Sequence, residues 1–222
     1  MINLKYIFIF LLCMSGANVV FSQSHTNELW TEFGASVDVF QDVSVDAVVE
    51  ARFQEVGSYL KSVSGEVGFS YKVSKPLAIG VTYKCTEKYK PQGFFAAHTG
   101  AFSVSYREKF GDVRVAYRNK FEASRDMYVN ESSDLLPSFE DRNRLKISYA
   151  RKKAFLSPSV SIETFHAIAN SQSFTLTEMR YGAGLDFNLK NKYEAGISYT
   201  FKQSFGKLTN TSVYSISIAK SF

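Results

Sequence analysis

Cysteine is nearly absent from this 222-residue chain. There are two, and Cys13 lies in an apolar leader. Small exported domains usually staple themselves with disulfides. Cys85 alone cannot form an internal one, so stability must come from elsewhere. Proline is scarce at 4 residues, and Trp30 is the single tryptophan. No unbroken apolar run approaches the roughly 20 residues that a transmembrane helix needs. No basic run occurs either: Lys and Arg are dispersed under a net charge of +5, which excludes the charge signature of a nucleic-acid binder. The Ala, Glu, Lys and Leu richness of a coiled coil is missing. What is abundant is aromatic: 20 Phe and 13 Tyr, enough to exclude a disordered chain.

The leader reads as a secretory signal peptide. Lys5 supplies the positive start, and residues 7–12 (IFIFLL), extended weakly to about Val20, form the apolar segment. Val20 and Ser22 stand at the −3 and −1 positions for cleavage after Ser22. Residues 1–22 are therefore expected to be removed, leaving 23–222 as one domain of charge +4. Cys13 follows Leu12 rather than a small residue at the end of the apolar segment, which argues against a lipidated cysteine.

From Leu29 onward the chain alternates with period two, the signature of strands with two unlike faces. Phe33, Ala35, Val37 and Val39 oppose Glu32, Gly34, Ser36 and Asp38. Val63, Val67, Phe69 and Tyr71 oppose Ser62, Ser64, Glu66 and Ser70. Tyr181, Ala183, Leu185 and Phe187 oppose Arg180, Gly182, Gly184 and Asp186. Eleven such runs are found, near 29–40, 43–54, 59–73, 77–86, 94–106, 112–121, 142–150, 156–165, 173–189, 193–202 and 213–222.

An all-β chain of this kind is either a soluble sandwich or a barrel. The polar face decides: it is largely Gly, Ser and single charges, whereas a sandwich's wet face is usually rich in Lys, Glu and Thr. The apolar face carries tyrosines (Tyr71, Tyr83, Tyr117, Tyr149, Tyr181, Tyr193, Tyr199, Tyr214) read as strand-end girdles. Alternating segments of about ten residues with aromatic girdles mark outer-membrane barrels. Connections alternate too, short near 41–42, 74–76, 109–111, 151–154 and 190–192, long near 55–59, 86–93, 122–139, 166–172 and 203–210. The expectation is one antiparallel transmembrane β-barrel with short periplasmic turns and longer outer loops. Bacterial single-chain barrels have even strand counts. Residues 23–28 starting another strand, a first run that does not span, or one wrongly split run would restore evenness, and the expected count is 10–12.

The chain closes on Phe222 at the end of an alternating strand with Tyr214, Ile216 and Ile218 on its apolar face. That ending resembles the assembly signal of outer-membrane barrels and implies recognition of this strand by the barrel-assembly machinery. Lys220 departs from the signal, where an aromatic or apolar residue is usual, and is expected to snorkel to the headgroups. Along the chain come Trp30–Thr31–Glu32, Glu50–Ala51–Arg52, Tyr117–Arg118, Arg142–Asn143–Arg144, Glu163–Thr164–Phe165 and Ser221–Phe222. In this order, over about 190 residues of the chain, they resemble a family of small Gram-negative outer-membrane barrels classed only as a domain of unknown function. The resemblance implies compartment and fold, with outer-membrane lipid as the surroundings. It implies no catalytic residue.

Residue by residue, no catalytic, metal or cofactor site is expected. His25 lies in the N-terminal tail, and His98 and His166 share the register of outward apolar residues, so none faces Ser161 or Glu163 as a nucleophile–His–acid set requires. Cys85 has no ligand partner at metal spacing. The polar faces instead place Glu50, Arg52, Arg118, Arg144, Glu163 and Arg180 in the lumen, where they are expected to form one ion network at mid-barrel. The function expected is non-enzymatic: a structural barrel or a narrow pore with a salt-bridged lumen. The alternatives are a lipid-acting enzyme of the outer leaflet and a soluble periplasmic binding protein.

Overall fold

The computed structural model describes residues 24–90, 93–127, 137–149, 154–168, 174–205 and 209–222. The expected signal peptide at 1–22 lies outside the described residues. So do residues 128–136 of the acidic 122–139 connection.

Eleven strands close into one barrel: β1 (Ser24–Phe40), β2 (Val43–Gln54), β3 (Tyr59–Lys72), β4 (Leu77–Lys90), β5 (Gly93–Phe110), β6 (Val113–Asp126), β7 (Ser138–Tyr149), β8 (Leu156–Ile168), β9 (Phe174–Asn188), β10 (Tyr193–Ser204) and β11 (Thr209–Ser221). Each pairs with its sequence neighbour, antiparallel throughout. The seam differs. β1 pairs with β11 in parallel, from Ser24 opposite Thr209 to Ser36 opposite Ser221. An odd count of up-and-down strands leaves first and last running the same way, so a parallel seam is unavoidable once the sheet closes. The count is therefore odd, not even. Residues 24–28 extend β1 rather than starting another strand. Thr26 and Thr211 share a hydroxyl hydrogen bond of 3.0 Å across the seam, and the Phe222 amide donates to the Ser36 carbonyl.

Strands reach further than period two alone suggested. β4 and β5 leave only 91–92 between them where a long connection, 86–93, was expected. β6 runs to Asp126, which moves Glu122 from a loop onto a strand. Only 127–137 remains long, so the expected short–long contrast rests on that one connection. The turn end carries 41–42, 73–76, 111–112, 150–155 and 189–192, and the loop end carries the others. The two-residue turn at 111–112 places Gly111 at φ 60°, the positive φ that a II′ hairpin puts at its first central residue.

Burial is inside out. The outward faces expose Phe33, Phe69, Val81, Phe94, Ile197, Ile216 and many like them, with Phe40 at 71%. Among the described residues the buried hydrophobic ones are Ala97, Phe165 and Val213, while Glu28, Ser62, Ser64, Lys120, Glu163, Thr211 and Ser212 are buried too. A soluble domain does the reverse. Aromatics ring both ends: Phe40, Tyr71, Phe110, Tyr193 and Phe222 at the turn end, Tyr59, Tyr89, Phe94 and Phe174 at the loop end. Tyr83, Tyr117, Tyr181, Tyr199 and Tyr214, expected in the girdles, sit within their strands instead. Over β6–β11 and β1 the outer surface forms an apolar hollow of about 830 Å³, lined by Val113, Val160, Ala183, Leu185, Ile197 and Ile216 among others.

Candidate functional site

The lumen holds the charge, and register explains how. Among the described residues six like-charge pairs stand directly opposite one another: Glu32–Glu50 on β1/β2, Lys109–Arg114 on β5/β6, Arg118–Arg144, Lys120–Arg142 and Glu122–Glu140 on β6/β7, and Arg180–Lys202 on β9/β10. Like charges directly opposite destabilise a sheet. Neutralisation therefore has to come from elsewhere on the inner face.

Glu163 on β8 accepts from Arg118 (3.3 Å) and Arg142 (3.1 Å). Arg142 also bridges Glu122 at 2.9 Å, Glu122 bridges Lys120 at 3.1 Å, and Lys120 reaches Glu66 on β3 at 3.8 Å. Since β3 and β8 lie on opposite sides of an eleven-strand ring, this chain of ion pairs crosses the lumen. On the other side Glu50 takes Arg52 (2.8 Å) and Lys84 of β4 (3.2 Å). Glu178 takes Arg180 and, at 3.8 Å, Lys202. Glu28, buried, takes Lys61 and the Trp30 indole N–H.

Two inward aromatics join these groups. The Phe165 ring has Arg180 at 4.0 Å and Arg142 at 4.6 Å from its centroid. The Trp30 ring has Arg52 at 3.9 Å, Lys202 at 5.5 Å and Arg180 at 5.6 Å. All lie within cation–π range. Arg180 thus links both rings, and the whole forms a belt across the barrel.

Of the six residues expected in one network, Glu50 and Arg52 pair directly, and so do Arg118 and Glu163. Arg180 pairs with Glu178, stands opposite Glu163 in register, and shares the Phe165 and Trp30 rings with the others. Arg144 makes no ion pair within 4 Å among the described residues, although register sets it opposite Glu163. Ion pairs alone therefore form separate groups, and aromatic rings connect them. Sequence reasoning put Lys120 on the inner face but outside the network, and missed Glu122, Arg142, Glu178, Trp30 and Phe165 as its members. Glu122 extends the even-numbered inner face of Arg114, Arg118 and Lys120, so continued period two would have found it. Phe165 follows Glu163 by two residues, and Trp30 precedes Glu32 by two.

On the loop side of the belt lies a polar cavity of about 590 Å³. Its walls include Ser62, Thr82, Thr86, Thr99, Thr177 and Ser204 besides the belt residues. A bulge at Phe165/His166 leaves Thr177 as the extra residue of β9, and Thr177 donates to the Phe165 carbonyl at 3.2 Å. The lumen is constricted at the belt and hollow beside it.

The histidines are elsewhere. His98 stacks on Tyr83 and shares a hydrogen bond with its hydroxyl on the outer face. His166 stacks on Phe174 with ring centroids 4.3 Å apart. His25 is exposed near the start of β1, and Cys85 is half-buried on the face of Tyr83. In the closing strand Tyr214, Ile216, Ile218 and Phe222 are all outward and exposed. Lys220 lies 5.0 Å from the Tyr193 ring centroid and 4.5 Å from that of Phe222.

Residues 27–211 match the profile of a family described as "Protein of unknown function (DUF2490)". No curated protein matches the chain. Among solved structures, a bacterial polysaccharide outer membrane secretin is similar, with TM-score 0.52 and 9% identity over 80% of this chain. The chain spans 62% of that structure. Identity this low speaks to fold alone.

Proposed function

The chain belongs to that family of unknown function, and from this premise we propose an integral outer-membrane barrel that is non-enzymatic, with the belt making its lumen at most a narrow pore. The observation that carries this reading is the inverted burial: large apolar side chains exposed all round the outside, ionised ones buried within. In water that surface would be an aggregation hazard. In a bilayer it is the required one, because a closed barrel also satisfies every backbone hydrogen bond internally. The secretin's name carries an outer-membrane address, but that is said of the secretin, and the compartment here rests on the surface.

The C-terminal strand supports recognition by barrel-assembly machinery. Tyr214, Ile216, Ile218 and Phe222 present one apolar edge to the surroundings. Lys220 holds its ammonium over the Tyr193 and Phe222 rings at the turn end, a position from which a lysine at a membrane edge reaches the headgroups. The absence of an enzyme activity is read from the placement of His98 and His166, which face outward among aromatic rings.

Two measurements test this. Fractionation should recover the processed chain in outer membranes as a heat-modifiable band, and recovery as a soluble periplasmic species overturns the proposal. A planar-bilayer recording on the purified barrel should show no conductance or small steps. Wide, porin-sized steps contradict a belt across the lumen. Lipid hydrolysis abolished by His98→Ala or His166→Ala would make it an enzyme instead.

A further inference from the structure

Among the described residues Arg144 makes no ion pair within 4 Å, and it shares the attraction of Glu163 with Arg118 and Arg142. Register sets it directly opposite Arg118 on one side and Glu163 on the other. Glu163, however, is engaged by Arg118 and Arg142. The charges bearing on Arg144 are Arg118, Arg142 and Arg107, all repulsive, against Glu163. Glu32, exposed to the lumen from β1, lies within electrostatic reach but forms no ion pair with Arg144 within 4 Å. The neighbouring Lys146 is matched separately, by Asp186 at 3.3 Å.

On the turn side of Glu163, the inner faces of β8 and β9 carry only short side chains, Ser161 opposite Gly182 and Ser159 opposite Gly184, and the two serines offer hydroxyl donors. Guanidinium groups present a planar fork of donors that fits two oxygens of one anion. We propose that Arg107, Arg118 and Arg144 form a lumen site for a small oxyanion, a phosphate or carboxylate group, seated on the turn side of the belt. The anion supplies the negative charge that the belt lacks at this level. A lipid headgroup would have to cross the sheet of a closed barrel to reach it, so the ligand is a water-borne solute. The site deepens the barrel reading and rests on it, since it requires a folded, water-reached lumen.

The test uses the whole purified barrel, folded in detergent, in low-salt buffer free of other small anions. Inorganic phosphate is the probe, followed by isothermal titration calorimetry and by the unfolding midpoint. Saturable binding is expected, with a rise in that midpoint. Arg144→Gln should weaken binding by about tenfold or more, the scale of one lost charge-assisted hydrogen bond. Lys220→Gln, on the outer face, should leave binding unchanged. Without phosphate, Arg144→Gln should unfold at the same temperature or higher, because it removes a repelled charge rather than a paired one. A folded, heat-modifiable barrel that ignores phosphate overturns the site and leaves the barrel reading intact. Equal binding by Arg144→Gln overturns it too, and so does failure of that variant to fold, which would make Arg144 a structural partner. A chain that forms no barrel in detergent or vesicles overturns both readings.

Discussion

The β6–β8 sector and the β9–β11 sector look alike from outside and opposite from within. Outward, both show aliphatic and aromatic side chains, such as Leu145, Ile147 and Val160 in the first and Tyr181, Ile197 and Ile216 in the second. Inward, the first carries Arg118, Lys120, Glu122, Arg142, Arg144 and Glu163, while much of the second is Gly182, Gly184, Gly196, Ser198, Ser215 and Ser217. The two inner faces, side by side in the ring, differ in volume: long charged side chains line the first, and Gly and Ser line much of the second. The small sector also packs tightly against itself: a Cβ on Gly184 would stand 3.2 Å from the Ser198 Cβ and 3.4 Å from the Ile197 carbonyl oxygen. That same sector backs the apolar hollow on the outer surface. The outer faces are alike and the inner faces differ in side-chain length and charge.

The largest effect should come from the charged sector. Glu163→Ala strands Arg118 and Arg142 together, and Glu163 is only 8% exposed. Removing one partner of a buried ion pair costs about 3–5 kcal/mol, measurable as a fall in the urea midpoint of the heat-modifiable form. An unchanged midpoint with altered ion selectivity in a bilayer would mean that water screens the belt, and the lumen is then an open channel.

Next comes the face that the sectors share. Val160→Arg on β8 and Val81→Arg on β4 should each cost about 2–4 kcal/mol in lipid if they lie near the midplane, read by folding into vesicles. Both residues are outward and exposed. No penalty at either position would show that the outer face is not in hydrocarbon.

Gly184→Leu addresses the small sector. Overpacking a tight site costs typically about 1–3 kcal/mol. A smaller loss of thermal stability than Glu163→Ala is expected. Should the order be reversed, tight packing in the small sector matters more than the charge in the other. The smallest change belongs to Lys220→Ala, which removes cation–π contacts with Tyr193 and Phe222. Such contacts at exposed positions are worth about 0.5–1 kcal/mol. Its mark should be a slightly lower melting temperature, and a complete loss of folding would reveal an assembly role for the lysine itself.

Much of this was legible in the chain. The two faces of every strand followed from alternation, and the exposed residues fall on the faces assigned to them, from Phe33 to Ile218. Strand ends were less legible. Lys88 and Glu87 continue β4, and Glu122 continues β6, although their local sequence is charged enough to read as loop. Pairing with a neighbouring strand supplies the hydrogen bonds that hold such a segment extended, and a neighbour is invisible in one strand's composition. Glu50–Arg52 was legible for the opposite reason: two residues apart on one strand, they share a face wherever that strand goes.

Period two is a property of the backbone, since successive side chains of a strand leave on opposite sides. The sequence by itself therefore determined which residues face out and which face in. It could not determine that β1 would meet β11 in parallel, because closure depends on how many strands pair before the ends meet. Nor could it determine that Lys120 would reach Glu66, or that Arg180 would lie between Phe165 and Trp30. Those contacts cross the lumen, so their distances depend on the register of every strand between them, which only the closed barrel sets.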